Sequence, residues 1–198
     1  MTKPVLTLAS ASPRRKELLY SLGINVNVCP ADIDESRLDN EMPKHYVERL
    51  ALQKAQRVQQ ILSQRKVEIS SLPILAADTI VTLDNHLFGK PQGRDDAFAM
   101  WQTLSGKTHQ VITAVALLTE SDYFVALSVS KVRFNHLNEY QMQAYWETEE
   151  PIDKAGAYAI QGFASAWVAS IEGSYTGVVG LPLYELNDLL KNVGLNWL

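Results

Sequence analysis

A single cysteine, Cys29, stands in 198 residues, so no intrachain disulfide forms, as is usual in a reducing compartment. Cys29 lies in an apolar stretch and reads as a core thiol rather than a reactive one. Positive charge is not in excess either: 18 Lys and Arg against 22 acidic residues leave a formal net charge of −4. The overall field does not favour a polyanion, and the scattered basic residues make no stripe of the kind duplex binders carry. No apolar run is long enough for a membrane span, and the stretch MTKPVLTLASASPRRKELL is interrupted by Arg14, Arg15 and Lys16. Internal repeats, low-complexity tracts and long linkers are absent as well. These exclusions predict a soluble, cytoplasmic globular protein with neither nucleic acid nor membrane as a partner. A local group of cations remains able to bind a small anion.

What is present is the balance of an ordinary packed domain. Hydrophobic residues make up 46% and charged residues 20%, too apolar and too evenly charged for disorder. Segments of period 2 and period 3.6 alternate, which points to an α/β or α+β sheet protein. Val5 to Ala9 predicts a buried strand. Ser12-Pro13 then starts a helix, Leu18, Leu19 and Leu22 form its stripe, and Gly23 ends it. Ile24 to Val28 predicts a second strand. The longest helix runs from Pro43 to about Leu62, with Val47, Leu50, Ala51, Ala55, Val58, Ile61 and Leu62 on one face.

Pro73 to Leu83 is a strongly apolar strand, and Asp95 to Leu104 a helix with Ala97, Met100, Trp101 and Leu104 inward. Two long strands follow, Gln110 to Thr119 and Tyr123 to Phe134. Asn138 and Gln141 form a capping box for a helix to about Trp146. Ala166 to Ile171 predicts a strand, then a Gly-rich loop, then a last helix from Pro182 to Asn192.

Three polar residues break these patterns. Lys54 falls four residues from both Leu50 and Val58, on the buried stripe of its helix. It is either a lysine snorkelling at the edge of that face or an ammonium pointed into a cleft toward an anion. Asp78 interrupts Leu75-Ala76-Ala77-Asp78-Thr79-Ile80-Val81, where a carboxylate is costly unless paired or bound to a cation. An ion pair with an arginine and a functional carboxylate both meet that requirement. Arg15 extends the stripe of Leu18, Leu19 and Leu22 into the first helical turn, where the helix dipole disfavours a cation. A phosphate docked between Arg15 and the free N–H groups of that turn removes the conflict. Arg14 shares the turn but sits more to one side. The tracts Asp153 to Gly162 and Gly173 to Pro182 read as permissive loops suited to close backbone approach.

Other motifs fail on spacing. Ser105-Gly106-Lys107-Thr108 resembles the tail of a phosphate-binding P-loop, but Trp101 stands where its first glycine belongs, and the tract closes a helix instead of opening one. Gly173-Ser174-Tyr175-Thr176-Gly177 has serine second and so makes no nucleophile elbow. His45, His86, His109 and His136 lie far apart with no metal-ligand spacing.

Taken in order, Leu8-Ala-Ser-Ala-Ser-Pro-Arg-Arg15, Asp34-Glu35, the helix with Arg49 and Lys54, Ala77-Asp-Thr79, Gly89-Lys-Pro91, Asp153 to Gly162, Gly173-Ser-Tyr175 and Gly180-Leu-Pro182 resemble the Maf family of nucleotide pyrophosphatases. The resemblance covers essentially the whole chain. It implies one domain over residues 1–198, an elongated mixed α/β sheet with flanking helices and two lobes around a central cleft, similar to inosine triphosphatases. It implies a divalent cation, Mg²⁺ or Mn²⁺, and leaves a homodimer open. The family's functional positions fall on Ser10, Arg15, Glu35, Lys54, Asp78, Lys90 and Gln161.

The branch acting on dTTP and UTP reads as this chain does at Ser12 to Arg15, Ala77 to Thr79 and Ile160 to Gly162. The branch acting on 7-methyl-GTP has tryptophan before the second arginine, Gln after the Asp, and Glu in place of Gln161. The implied activity is hydrolysis of dTTP, UTP or modified pyrimidine nucleotides to monophosphate and pyrophosphate, with a role in keeping modified nucleotides out of nucleic acids and in arrest of cell division. On this reading Glu35 and Asp78 hold the metal, Asp78 activates water, Ser10, Arg15, Lys54 and Lys90 bind the triphosphate, and Thr79 and Gln161 face the base. The rival is a non-catalytic nucleotide-sensing regulator of division, which needs the phosphate contacts but not a water-activating carboxylate.

Overall fold

The computed structural model describes residues 5–65 and 71–195. Its centre is a seven-stranded mixed sheet, ordered β2-β1-β3-β5-β6-β7, with β4 paired to β3 beside that path. The strands are β1 (Leu6–Leu8), β2 (Val26–Val28), β3 (Ile74–Leu83), β4 (His86–Phe88), β5 (Thr108–Leu118), β6 (Tyr123–Phe134) and β7 (Val168–Glu172). β1 runs parallel to β2 and β3, and the remaining pairs are antiparallel. The helices are α1 (Pro13–Ser21), α2 (Pro43–Arg65), α3 (Arg94–Leu104), α4 (Glu139–Trp146), α5 (Tyr175–Val179) and α6 (Leu183–Asn192). Among the described residues no helix is long and apolar enough to cross a membrane.

Period-2 alternation along β3 sorts the helices onto two faces. Ala76 and Ile80 join the clusters under α2, with Ala55, Val58, Val47 and Ala51 above them. Leu75 and Ala77 face the other way, into a cluster with Leu19 of α1 and Leu186, Leu189 and Leu190 of α6. Asp78 therefore shares the α2 face and Thr79 the α1 face. A fourth cluster holds α3 and α4 against the sheet around Trp101, Phe134, Tyr145, Tyr158 and Trp167.

The sheet contains a gap. On one side of β3, β1 pairs only with Ile74 and Leu75, and β4 only with Val81 to Leu83. The residues between them, Ala76 to Ile80, pair with β5 on the other side alone. Asp78 and Thr79 thus sit at an open edge, within reach of groups from both faces.

Periodicity locates the long elements. The capping box predicted at Asn138 and Gln141 is formed, with Gln141 N to Asn138 Oδ1 at 2.9 Å and Asn138 N to Gln141 Oε1 at 3.0 Å. The differences lie in short pieces. The stretch read as a Gly-rich loop contains α5, a single turn and a half capped by the Ser174 hydroxyl, which accepts from Gly177 N at 3.0 Å. The three-residue strand β4 escapes a pattern reading because three residues carry no period. In α1 only Leu19 is buried, while Leu18 and Leu22 are half covered.

Candidate active site

One cavity of about 830 Å³ opens at the gap in the sheet, and all eight residues singled out from the sequence line it: Ser10, Arg15, Glu35, Lys54, Asp78, Thr79, Lys90 and Gln161. The volume suits a nucleotide-sized ligand. Six separate segments contribute them, so the cleft is a product of the tertiary fold.

On the α2 face, Lys54 Nζ lies 2.6 Å from Asp78 Oδ1 and 2.7 Å from Glu35 Oε1. The ammonium joins two carboxylates, so the hydrogen-bonded partner of Asp78 is this lysine and not an arginine, and each makes the other tolerable in an apolar setting. The side chains of Lys54 and Asp78 are 11% and 10% exposed, that of Glu35 47%. This difference drives the two carboxyls apart. Burial raises the pKa of Asp78 above its usual value, against the opposing charges of Lys54 and Arg15. Burial also pushes Glu35 upward, but the hydrogen bond and charge of Lys54, with Lys90 and Arg15 beyond, outweigh it and leave Glu35 below its usual value.

On the α1 face, Arg15 is closed on protein acceptors. Its Nε donates to Gly180 O at 2.7 Å, Nη1 to Ser10 Oγ at 3.1 Å and Nη2 to Thr79 Oγ1 at 3.1 Å. Thr79 Oγ1 is also 3.0 Å from Thr113 Oγ1, whose own proton goes to Gly177 O at 2.7 Å. Gly180 has φ +120°, a left-handed conformation open to glycine at little cost, and it is this turn that presents the carbonyl to Arg15. Burial lowers the pKa of Arg15, and the nearby Asp78 carboxylate works the other way.

Lys90 and Gln161 are exposed on the cleft wall, and among the described residues neither makes an ion pair or hydrogen bond that would turn it away. Arg14, which the sequence places in the same turn as Arg15 but to one side, also lines the cleft. It has no hydrogen-bonded partner among the described residues, and burial lowers its pKa against the charges of Asp153, Glu17, Tyr145 and Glu150. Its signal was available, because the branch comparison differs at this very position. Tyr46 was missed. It borders the cleft and precedes Leu50 and Lys54 at four-residue spacing on the same stripe.

The cleft is also lined by apolar residues, Val81, Val111, Ala159, Ile160 and Val179 around Tyr158, two of them directly before Gln161. The tract that carries Gln161 is anchored from the core: Trp101 Nε1 donates to Ala157 O at 2.9 Å, and Ala159 N to Tyr145 Oη at 3.0 Å. A Cβ on Gly162 beside it would displace the Glu150 carboxylate that accepts from Tyr145. Tyr158 Oη meets His109 Nε2 at 2.8 Å. Burial pushes His109 down to about 4, so it is a neutral core group at pH 7, and its Nδ1 has no partner among the described residues.

Among the described residues no group of three or more His, Cys, Asp and Glu side chains gathers as a metal cage. The donor set that does gather, Glu35 and Asp78, is a pair of hard carboxylates at the edge of an open cleft. That fits Mg²⁺ or Mn²⁺, which take one or two carboxylates and complete their shell with water and phosphate oxygens.

A mixed-sheet α/β fold, with a charged cleft set in a gap of the sheet and lined in part by apolar residues, defines a class of α/β protein suited to an anionic ligand with an apolar part. Comparison with known proteins narrows the class. The chain matches the Maf-like protein family over residues 5–193, and it belongs to that family. It is 45% identical over 195 residues to a protein of Alkalilimnicola ehrlichii named dTTP/UTP pyrophosphatase, covering 98% of this chain and 96% of that one. It is 47% identical over 192 residues to a protein of the same name from Pseudoalteromonas atlantica, covering 96% and 98%. A third of that name, from Bordetella pertussis, is 45% identical over 196 residues, covering 97% and 94%.

Proposed function

We propose that this chain is a nucleoside triphosphate pyrophosphatase that hydrolyses dTTP and UTP to the monophosphate and pyrophosphate. The observation that carries the proposal is the Asp78–Lys54–Glu35 array at the gap in the sheet beside β3, in a cleft lined by further cations, by apolar residues and by the Gln161 amide. Phosphoryl transfer asks for positioning and charge neutralisation more than for covalent chemistry. A pair of carboxylates whose pKa values are driven apart marks the acid–base assignment. Asp78, raised and buried, accepts the proton of the attacking water, while Glu35 stays an anion. Lys90 and Arg14 meet the phosphates first, and Lys54 and Arg15 sit behind them. Ser10 holds Arg15 in place.

Glu35 and Asp78 are the residues that would hold Mg²⁺ or Mn²⁺, which when bound supplies charge neutralisation at the phosphate oxygens. Gln161 reads the edge of the base with its amide. Thr79, whose proton is spent on Thr113, sets the width of the pocket and keeps one acceptor lone pair. The enzyme acts in the cytoplasm, and the cleft lies between the two lobes of a single domain.

Hydrolysis of dTTP in ¹⁸O-water tests which bond breaks. Attack on the α-phosphorus puts the label in thymidine monophosphate and leaves pyrophosphate unlabelled. Label in orthophosphate, with thymidine diphosphate as co-product, would refute the proposed reaction.

The role of Gln161 is tested by Gln161→Glu. A site built to pair with polar atoms rejects a mismatched partner strongly, so turnover of dTTP and UTP should fall by about 10²-fold. Gln161 is exposed, so the change should cost no more than about 0.5 kcal/mol of stability. A triphosphate panel on the variant with the wild-type preference and rate would place base selection elsewhere.

A further inference from the structure

Glu35 lies in the stretch between β2 and α2, which forms no helix or strand, yet its carboxylate must meet Lys54 at 2.7 Å. An untethered loop would lose conformational entropy each time it adopted that position. The tether comes from α2 itself. Tyr46 Oη donates to the Glu35 carbonyl at 2.8 Å, and Arg49 Nη2 donates to the next carbonyl, that of Ser36, at 3.1 Å.

Arg49 is itself held in place. Its Nε and Nη2 form a fork on Glu41 at 2.6 and 2.7 Å, and Nη1 donates to Gln53 Oε1 at 3.1 Å. Its guanidinium stands 5.5 Å from the Tyr46 ring centroid. Glu41 closes the far end of the loop, accepting from Leu38 N at 3.1 Å, while Arg37 Nε returns to the Glu41 carbonyl at 2.9 Å. Tyr46 and Arg49 are three residues apart and share one side of the helix. Burial, with the charges of Asp78 and Glu35, pushes the Tyr46 hydroxyl up to about 12, so it remains a donor at neutral pH. Arg49 does not line the cleft, and its donors end on protein.

We propose that Tyr46 and Arg49 are positioning residues for Glu35: they fasten the loop of residues 34–41 to α2 by its backbone carbonyls, so that the Glu35 carboxylate reaches Lys54 opposite Asp78. The catalytic consequence rests on the reaction proposed above; the fastening does not.

Two readouts test it. Outer partners that orient a site carboxylate cost about 10-fold or more when removed. Tyr46→Phe and Arg49→Gln should therefore lower kcat by about 10-fold, with KM for dTTP nearly unchanged and Arg49→Lys intermediate. In a Glu35→Gln background the same substitutions should cost nothing more, because the group they position is gone. Hydrogen exchange at residues 34–38 should quicken several-fold in both variants, whether or not substrate is present. Unchanged exchange, or equal losses of kcat in both backgrounds, overturns the proposal. Tyr46→Phe removes a single hydroxyl and keeps the test usable should Arg49→Gln not fold. A wild-type protein that released no pyrophosphate would remove the proposed reaction, and the exchange result would then decide the fastening alone.

Discussion

Replacing Asp78 by Asn is expected to lower kcat by about 10²-fold or more, the scale of a lost general base, in a protein that is no less stable than the wild type. The two halves of this result come from the same burial. Asp78 is buried at the open edge of β3 with Lys54 as its partner, and on balance the site favours its neutral form. A carboxyl whose folded pKa lies above its unfolded value is protonated more readily in the native state. Wild-type stability therefore declines as pH rises from the usual 3.8 through the raised native value, and Asn, with no proton to lose, escapes that decline. The melting temperature of Asp78→Asn should match or exceed the wild type near neutral pH. Lys54 keeps Glu35 as a partner in the variant, so no cation is stranded. The acidic limb of the wild-type kcat/KM profile should lie above the usual carboxylate range for the same reason. Turnover near the wild-type rate in a folded Asp78→Asn protein would end the assignment of Asp78 as the base.

Removing the cation of the same array should do the opposite to stability. Lys54→Ala leaves Asp78 and Glu35 facing each other with no ammonium between them. Breaking a buried ion pair on one side costs about 3 kcal/mol or more, which for a chain of this size corresponds to a fall in Tm of roughly 6–12 °C. The loss should depend on pH in a set direction. With Lys54 gone, Asp78 rises further above its unfolded value, and Glu35 loses the partner that held it below its own. Both changes penalise the charged carboxylates at neutral pH, and both are relieved as falling pH protonates them. Melts near pH 7 should show the full gap between variant and wild type, and melts near about pH 4.5 a smaller one. Activity should fall as well, because the base is then protonated over more of the working range and the phosphates lose a cation. A gap that stayed constant with pH, or no fall in Tm, would show that the array is not the electrostatic unit its distances describe.

Much of this protein can be read along the chain because each long element carries its own environment in its pattern. The 3.6-residue stripe of α2 and the alternation of β3 state which faces are buried. Lys54 and Asp78 stand out only because they violate those statements, and Arg15 because it opposes a helix dipole. The Asn138 and Gln141 capping box is likewise a local signal with a local cause. The motif strings, taken in order, carried the family.

Tertiary structure decided the partners. Lys54 meets Asp78, 24 residues later, and Glu35, 19 residues earlier, and no periodic rule spans such separations. The gap in the sheet exists because β1 and β4 both pair with β3 but stop short of each other, a matter of register between distant segments. Arg14 and Arg15 are neighbours in sequence, yet successive residues project about 100° apart around a helix. One guanidinium is thereby spent on Ser10, Thr79 and Gly180, and the other is left facing the cleft. A sequence pattern records how deeply a residue is buried, because burial is imposed by its own helix or strand. Which group it touches there depends on where the rest of the chain packs.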